Sequence, residues 1–291
     1  MRIKRTEDNY AMIIDFHTHT FPDKIAATTV EILKNKSGTN NFSDGTVTGL
    51  GKSMKRAGID LAVVLPVVTN AEKTERINRA AATINESTQE SGVFSFGGMH
   101  PDTPDWKTQL KLVAELGLKG IKLHPAYQQT PFDDIRYRRI VGYADELGLI
   151  VVVHGGIDIG IEGNWSTPAQ ARRVIDEVKP KKLVMAHMGG WQLWDETEKY
   201  LCGQNLYLDT SFSYGAFAYR DDVPLSVRKK PLTTEKMKEL IRLHGSDKIL
   251  FGTDSPWSDE AEQLALLRNL PLTYEEKTNI LGENAKKLLQ L

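Results

Sequence analysis

Histidine is the residue around which chemistry is most readily built in this chain. Of its seven copies, six stand at or just beyond the end of a short aliphatic run: His17, His19, His100, His124, His154 and His187. Only His244 lies elsewhere, before Gly245 at the close of a helical pattern, where a last-turn histidine interacts favourably with the helix dipole. In Ile13-Ile14-Asp15-Phe16-His17-Thr18-His19, side chains two apart on an extended strand point the same way, so both imidazoles can reach one ion. Val151-Val152-Val153-His154, Val184-Met185-Ala186-His187 and Phe251-Gly252-Thr253-Asp254 end in the same manner. Four run ends bearing metal-type ligands point to a site for a divalent cation. The lone cysteine, Cys202, offers neither a disulfide nor a thiolate cluster, so such a site is built from imidazole and carboxylate.

These residues need a scaffold that gathers strand ends. Aliphatic and β-branched runs predict strands over 12–16, 61–65, 93–97, 119–123, 149–153, 182–186, 206–209 and 249–252. Helical spacing predicts helices over 69–90, 105–116, 133–147, 167–178 and 234–244, several opened by capping residues and closed near glycine. Strand and helix alternate, which implies a parallel sheet with helices outside. Eight repeats fit a closed (β/α)8 TIM barrel, α/β in class, better than an open doubly wound sheet, and no G-x-G-x-x-G or P-loop pattern follows a strand. In a barrel all the C-terminal strand ends share one face, so residues scattered in sequence cluster in space. The stretches 34–48 and 214–231 read as long loops, of the kind that form binding elements or lids. With no linker, repeat or low-complexity segment, one domain over 1–291 is expected.

Composition narrows the partners. With 37 Lys and Arg against 38 Asp and Glu, the net charge of -1 leaves no basic footprint for nucleic acid or an anionic membrane. A small-molecule substrate is expected instead. The polar start of the chain, Met1 to Tyr10, lacks the apolar stretch of a secretory signal, and no segment approaches the ~20 apolar residues of a membrane span. A cytoplasmic protein is expected, with a symmetric homodimer the commonest assembly for such a chain.

Together the motifs are more specific than any one of them. Asp15-Phe16-His17-Thr18-His19 follows the first strand, His154 the fifth, His187-Met188-Gly189-Gly190 the sixth, and Gly252-Thr253-Asp254-Ser255-Pro256 the eighth, with Gly282-Glu283-Asn284-Ala285-Lys286-Lys287-Leu288-Leu289 at the end. Over nearly its whole length the chain resembles the amidohydrolase superfamily, in the amidohydrolase-related branch that includes aminocarboxymuconate-semialdehyde decarboxylase and related hydrolases and hydratases. The resemblance implies a barrel with a divalent ion, usually zinc, held by His17, His19, His154 and Asp254, with His187 beside the metal-bound water. Such a donor set suits zinc, which lowers the pKa of bound water towards ~7 and so supplies hydroxide at neutral pH. Asp254 and His187 are then the catalytic candidates, as proton acceptor and as polarising or proton-shuttling group. One ion is expected, with a second left open.

Other polar residues have plainer readings beside functional ones. Lys122 shares a face with His124 and lies one layer beneath it; some branches of the superfamily carbamylate a lysine after strand four, but here a buried lysine paired with Asp15 or another inward carboxylate is expected. His124 and His100 are substrate-contact candidates, each with a strand-end hydrogen-bonding role as the alternative. Trp165, Trp191 and Trp194, with Tyr214, Phe217 and Tyr219, place aromatic surface in the loops, and Arg220 is a candidate clamp for an anionic substrate, although a dimer interface uses the same residue types. The terminal stretch 284–289 reads as a helix packed on the barrel. The preferred function is a metal-dependent hydrolase of a small carbonyl- or carboxylate-bearing molecule. The alternative is a nonoxidative decarboxylase or hydratase on the same metal site. A barrel that binds without turnover and a metal-dependent nuclease are disfavoured by the full ligand set and by the neutral charge balance respectively.

Overall fold

A computed structural model describes residues 10 and 12–291; apart from Tyr10, the charged start of the chain lies outside the described residues. The aliphatic runs fold into β1 (Ile14–Thr18), β2 (Leu61–Val64), β3 (Val93–Ser95), β4 (Gly97–Gly98), β5 (Gly120–Leu123), β6 (Ile150–Val153), β7 (Leu183–Met185), β8 (Tyr207–Asp209) and β9 (Ile249–Leu250). Around them lie α1 (Asp23–Ser37), α2 (Val47–Ala57), α3 (Thr74–Asn85), α4 (Thr88–Ser91), α5 (Trp106–Glu115), α6 (Ile135–Glu146), α7 (Pro168–Val178), α8 (Trp194–Tyr200), α9 (Thr234–His244), α10 (Glu260–Asn269), α11 (Tyr274–Thr278) and α12 (Asn284–Leu289). The third predicted strand appears as β3 and β4, parted at Phe96, whose N–H donates to Val64 O at 2.9 Å.

All strand pairs are parallel, through β1-β2-β3 and then β4 to β9 in order. First and last strands meet: Phe16 N donates to Phe251 O and Asp254 N to His17 O, both at 2.8 Å, and Thr18 bridges in parallel to Ser255. The sheet therefore closes as the expected (β/α)8 barrel. Lys122 lies opposite Val152 and Val152 opposite Val184. Ile14, Phe16, Val63, Ile150, Val152 and Leu250 share one buried cluster with Ala285, Leu288 and Leu289 of α12. The alternate residues, Ile121, Leu123, Val151 and Val153, belong to the second cluster, under the helices.

One irregularity in β1 aims the site. Ile14 pairs with Leu61, Asp15 with Ala62 and Thr18 with Val64, so three steps along β1 match two along β2. This bulge turns two successive residues, Phe16 and His17, to the interior, and leaves Asp15 on the helix side. There Asp15 accepts from Thr253 N (3.0 Å) and Thr253 Oγ1 (2.5 Å), with Glu260 of α10 nearby raising its pKa further after burial itself. Of the partners expected for a buried Lys122, Asp15 or another inward carboxylate, the structure takes the second: a plain alternation would have put Asp15 inside, and the bulge leaves it on the helix side. Lys122 faces Asp209 and Asp254 instead.

Three further expectations change. The stretch 34–48 is a loop only over 38–46, since α1 runs to Ser37 and ends on Gly38 in the left-handed region (φ 71°). The helix expected over 69–90 is broken: Asn70 caps a short turn at Ala71–Lys73 before α3, and α4 follows separately. His244 does close α9, but its Nε2 donates to Leu206 O at 3.0 Å, and burial lowers its pKa, so it acts as a neutral hydrogen-bond donor, not a charge on the dipole. The segment 214–231 is the expected long loop, tied to the end of α1 by Asn40 N to Ala218 O (2.7 Å) and Arg220 N to Gly38 O (2.9 Å). No helix among the described residues is long and apolar enough to cross a membrane.

Candidate metal centre

The barrel's C-terminal face brings His17, His19 and Asp254 together from opposite ends of the chain. His17 Nε2 and His19 Nε2 are 3.2 Å apart, and Asp254 Oδ1 lies 3.3 Å from the first and 3.1 Å from the second. The outer nitrogens fix the tautomers. His17 Nδ1 is 2.8 Å from Asp209 Oδ2, and His19 Nδ1 is 2.9 Å from Leu65 O. Carboxylate and carbonyl oxygens only accept, so each Nδ1 carries its proton and each Nε2 presents a lone pair. Two lone pairs and a carboxylate oxygen thus converge on one point, an arrangement that repels itself until a cation answers it. Lys122 Nζ, 3.3 Å from His17 Nε2, supplies positive charge at the edge of the set. A divalent ion fits these residues, and Asp209 stands where an outer carboxylate orients a ligating imidazole.

Gly252 makes the approach feasible: a Cβ there would lie 2.9 Å from His17 Cβ. The backbone is also bent for the purpose, with His187 (φ 59°), Met188 (φ 52°) and Asp254 (φ 67°) in the left-handed region, a conformation that costs non-glycine residues about 1–3 kcal/mol each and collects at functional sites.

A second group adjoins the first. His187 Nδ1 donates to Ser211 O at 2.9 Å, and its Nε2 is 3.0 Å from His154 Nδ1. The His154 ring stacks on His124 at 4.2 Å, and His124 Nε2 is 3.7 Å from Asp158 Oδ2. Among the described residues, metal-type donors therefore fall into three sets, each within 4.8 Å: His17, His19 and Asp254; His17, His187 and Asp209; and His124, His154 and Asp158. Of the four ligands implied by the resemblance, three share the first set, while His154 falls in the third and joins the others through His187.

Burial dominates the electrostatics. It lowers the pKa of His17 to about 3, with Lys122's charge acting in the same sense, and holds His124, His154 and His187 below the usual imidazole value. All four are neutral near pH 7, the form that ligates metal. Burial also lowers Lys122 to about 8, opposed by Asp209 and Asp254. For Asp209, burial favours the neutral acid, but the hydrogen bonds it accepts from His17 Nδ1 and Ser211 Oγ outweigh it and the carboxylate stays ionised. Burial raises Asp158 to about 6.

A cavity of about 780 Å³ opens on this face. Its polar end holds both histidine groups, Lys122, Asp158 and Asp254, and Tyr127, Trp191, Phe212 and Trp257 add aromatic walls. Two expected substrate contacts lie elsewhere. The Arg220 guanidinium is taken up by Asp222 (2.7 Å) and Asn35, and His100 Nδ1 accepts from Asp102 N (3.1 Å) within its own turn. Neither lines the cavity. Conversely, Asp209, Ser211 and Asp158 went unrecognised in the sequence. Asp209 had a signal, for it ends its strand as His187 follows the one before; Asp158 lies in an irregular loop and had none.

The amidohydrolase family model matches residues 14–291. No curated protein matches the sequence. Among solved structures the chain is similar to 5-carboxyvanillate decarboxylase of Novosphingobium aromaticivorans, solved with bound manganese (TM-score 0.69, 16% identity, 98% of each chain). It is also similar to 2,6-dihydroxybenzoate decarboxylase from Rhizobium (TM-score 0.68, 16% identity, 96% of this chain and 98% of that one). A third likeness is to an uncharacterised TIM-barrel protein of Bordetella bronchiseptica (TM-score 0.69, 17% identity, 96% and 98%). At such identities the structures speak for the fold, while the match over residues 14–291 speaks for ancestry: this chain is an enzyme of the amidohydrolase family.

Proposed function

We propose that the protein is a metal-dependent, nonoxidative decarboxylase of a small carboxylic acid, in preference to the hydrolase that metal-bound water alone suggests. One observation carries this: Lys122 and a bank of neutral imidazoles face the same cleft as apolar aromatic walls. A carboxylate finds positive charge and donors at the polar end while the rest of the molecule is taken out of water, and desolvation favours a reaction that disperses the carboxylate's charge. The decarboxylases of like fold support the same choice.

His17, His19 and Asp254, with His154 alongside, would hold the ion, which when bound supplies positive charge to the substrate's oxygens. Zinc suits the nitrogen-rich set and manganese accompanies a decarboxylase of like fold. Lys122 and His124 orient the carboxylate, and Trp191 and Phe212 exclude water. The carbon–carbon bond to the carboxylate breaks, its electron pair stays on the substrate carbon, carbon dioxide leaves, and Asp254 or His187, having first taken a proton from solvent water, passes that proton to the carbon.

Manganese-loaded protein offered a panel of hydroxybenzoates and unsaturated carboxylates is expected to release carbon dioxide. In heavy water the product gains one deuterium at the vacated carbon. Hydrolysis of esters, lactones or amides with no carbon dioxide from any acid would overturn the proposal.

A further inference from the structure

Helix α1 carries more apolar surface than the barrel uses. Of its 15 residues only Ala26 and Val30 are buried. Yet Ile25, Thr29 and Leu33, four apart on one face, line the cavity that begins at the metal centre, and Ile25 is 51% exposed. Helix α3 answers from across the groove, where Ile77, Ala80 and Ile84, spaced three and four apart, line the same cavity. Leu65 and Pro66, just past β2, join this arm to the imidazoles, and His19 Nδ1 itself bonds Leu65 O. The cavity's volume of about 780 Å³ sits in the upper part of the ~300–1,000 Å³ range that takes drug-sized ligands. A one-ring or short-chain acid seated at the imidazoles leaves the arm unfilled. A largely apolar stripe with Ile25 half exposed and Thr29 and Leu33 only partly buried leaves the helix with unused packing surface, and its use lies in what it binds.

We propose that the groove between α1 and α3 is a subsite for the apolar tail of the substrate, which makes the ligand a carboxylic acid with an aliphatic or aryl extension. The proposal rests on the decarboxylase reading only for where it seats the carboxylate. Continuity with the cleft argues for a ligand tail over a second copy of the chain, because a protein face would not need to open onto the imidazoles. Arg76, exposed beside Ile77, marks a polar rim where the tail meets solvent.

The test is calorimetric binding of straight-chain alkanoates, butanoate to decanoate, to manganese-loaded protein. Kd is expected to fall about three- to fourfold per added methylene until the arm is full. Ala80→Trp and Ile25→Asp are each expected to flatten that series. Ile25 is half exposed, so its variant keeps the question decidable should Ala80→Trp fail to fold. A flat series in the unaltered protein, or a gradient that survives both substitutions, overturns the subsite. So does a dimer that Ile25→Asp dissociates without touching the gradient. A gradient without carbon dioxide release from any acid refutes the decarboxylase alone; carbon dioxide release with a flat series refutes the subsite alone.

Discussion

Asp209 shows how much of this centre depends on a residue that does not line the cavity. It accepts from His17 Nδ1 at 2.8 Å and, through Oδ1, from the backbone N–H of His187 at 3.0 Å, so one buried carboxylate fixes the His17 ring and the main chain that carries His187. Asp209→Asn keeps the volume but gives up the negative charge that fixes the His17 tautomer. Metal affinity is expected to fall about 10- to 100-fold by equilibrium dialysis, with far-UV circular dichroism unchanged; undiminished affinity would mean that Asp209 merely fills space. The ligand-type residues were legible in the sequence because their spacing at strand ends is a local pattern. Asp209's role was not, because it depends on contacts 192 residues away. Arg220 is placed by a local partner instead: its guanidinium, in a loop, binds the nearby carboxylate of Asp222 and does not line the cavity.

Elements were read well where their signal was periodic and poorly where a single residue redirected the chain. The strands follow from aliphatic runs bounded by turn residues, whereas the β1 bulge has no signature in composition and decides whether Asp15 or His17 faces the site. Helix α9 illustrates the same point at its end. His244 looked like a charge on a dipole, but burial and the Leu206 carbonyl make it a neutral donor with a lowered pKa. The unfolded chain then binds the proton more readily than the folded one. Its stabilisation is complete above the ordinary value of 6.5 and is lost as pH falls through the lower folded value. Urea midpoints measured from pH 8 to pH 5 are expected to drop less steeply in His244→Gln than in the parent; equal slopes would show that His244 does not contribute.

The whole molecule exists to close a ring. Residues 17 and 254 become neighbours only because β1 and the last strand meet, through Phe16 with Phe251 and Thr18 with Ser255. The barrel was legible from eight alternations of strand and helix, since each run needs only local patterning. The division of the imidazoles into adjoining sets, and the groove between α1 and α3, were not, because both arise from packing between distant segments. This closure is what assembles the cation site of His17, His19 and Asp254. Metal content after exhaustive dialysis, measured by mass spectrometry on the parent and on the His17→Ala/His19→Ala double variant, tests it most directly. The parent is expected to retain about one divalent ion per chain and the double variant almost none. A double variant as fully loaded as the parent would contradict the account.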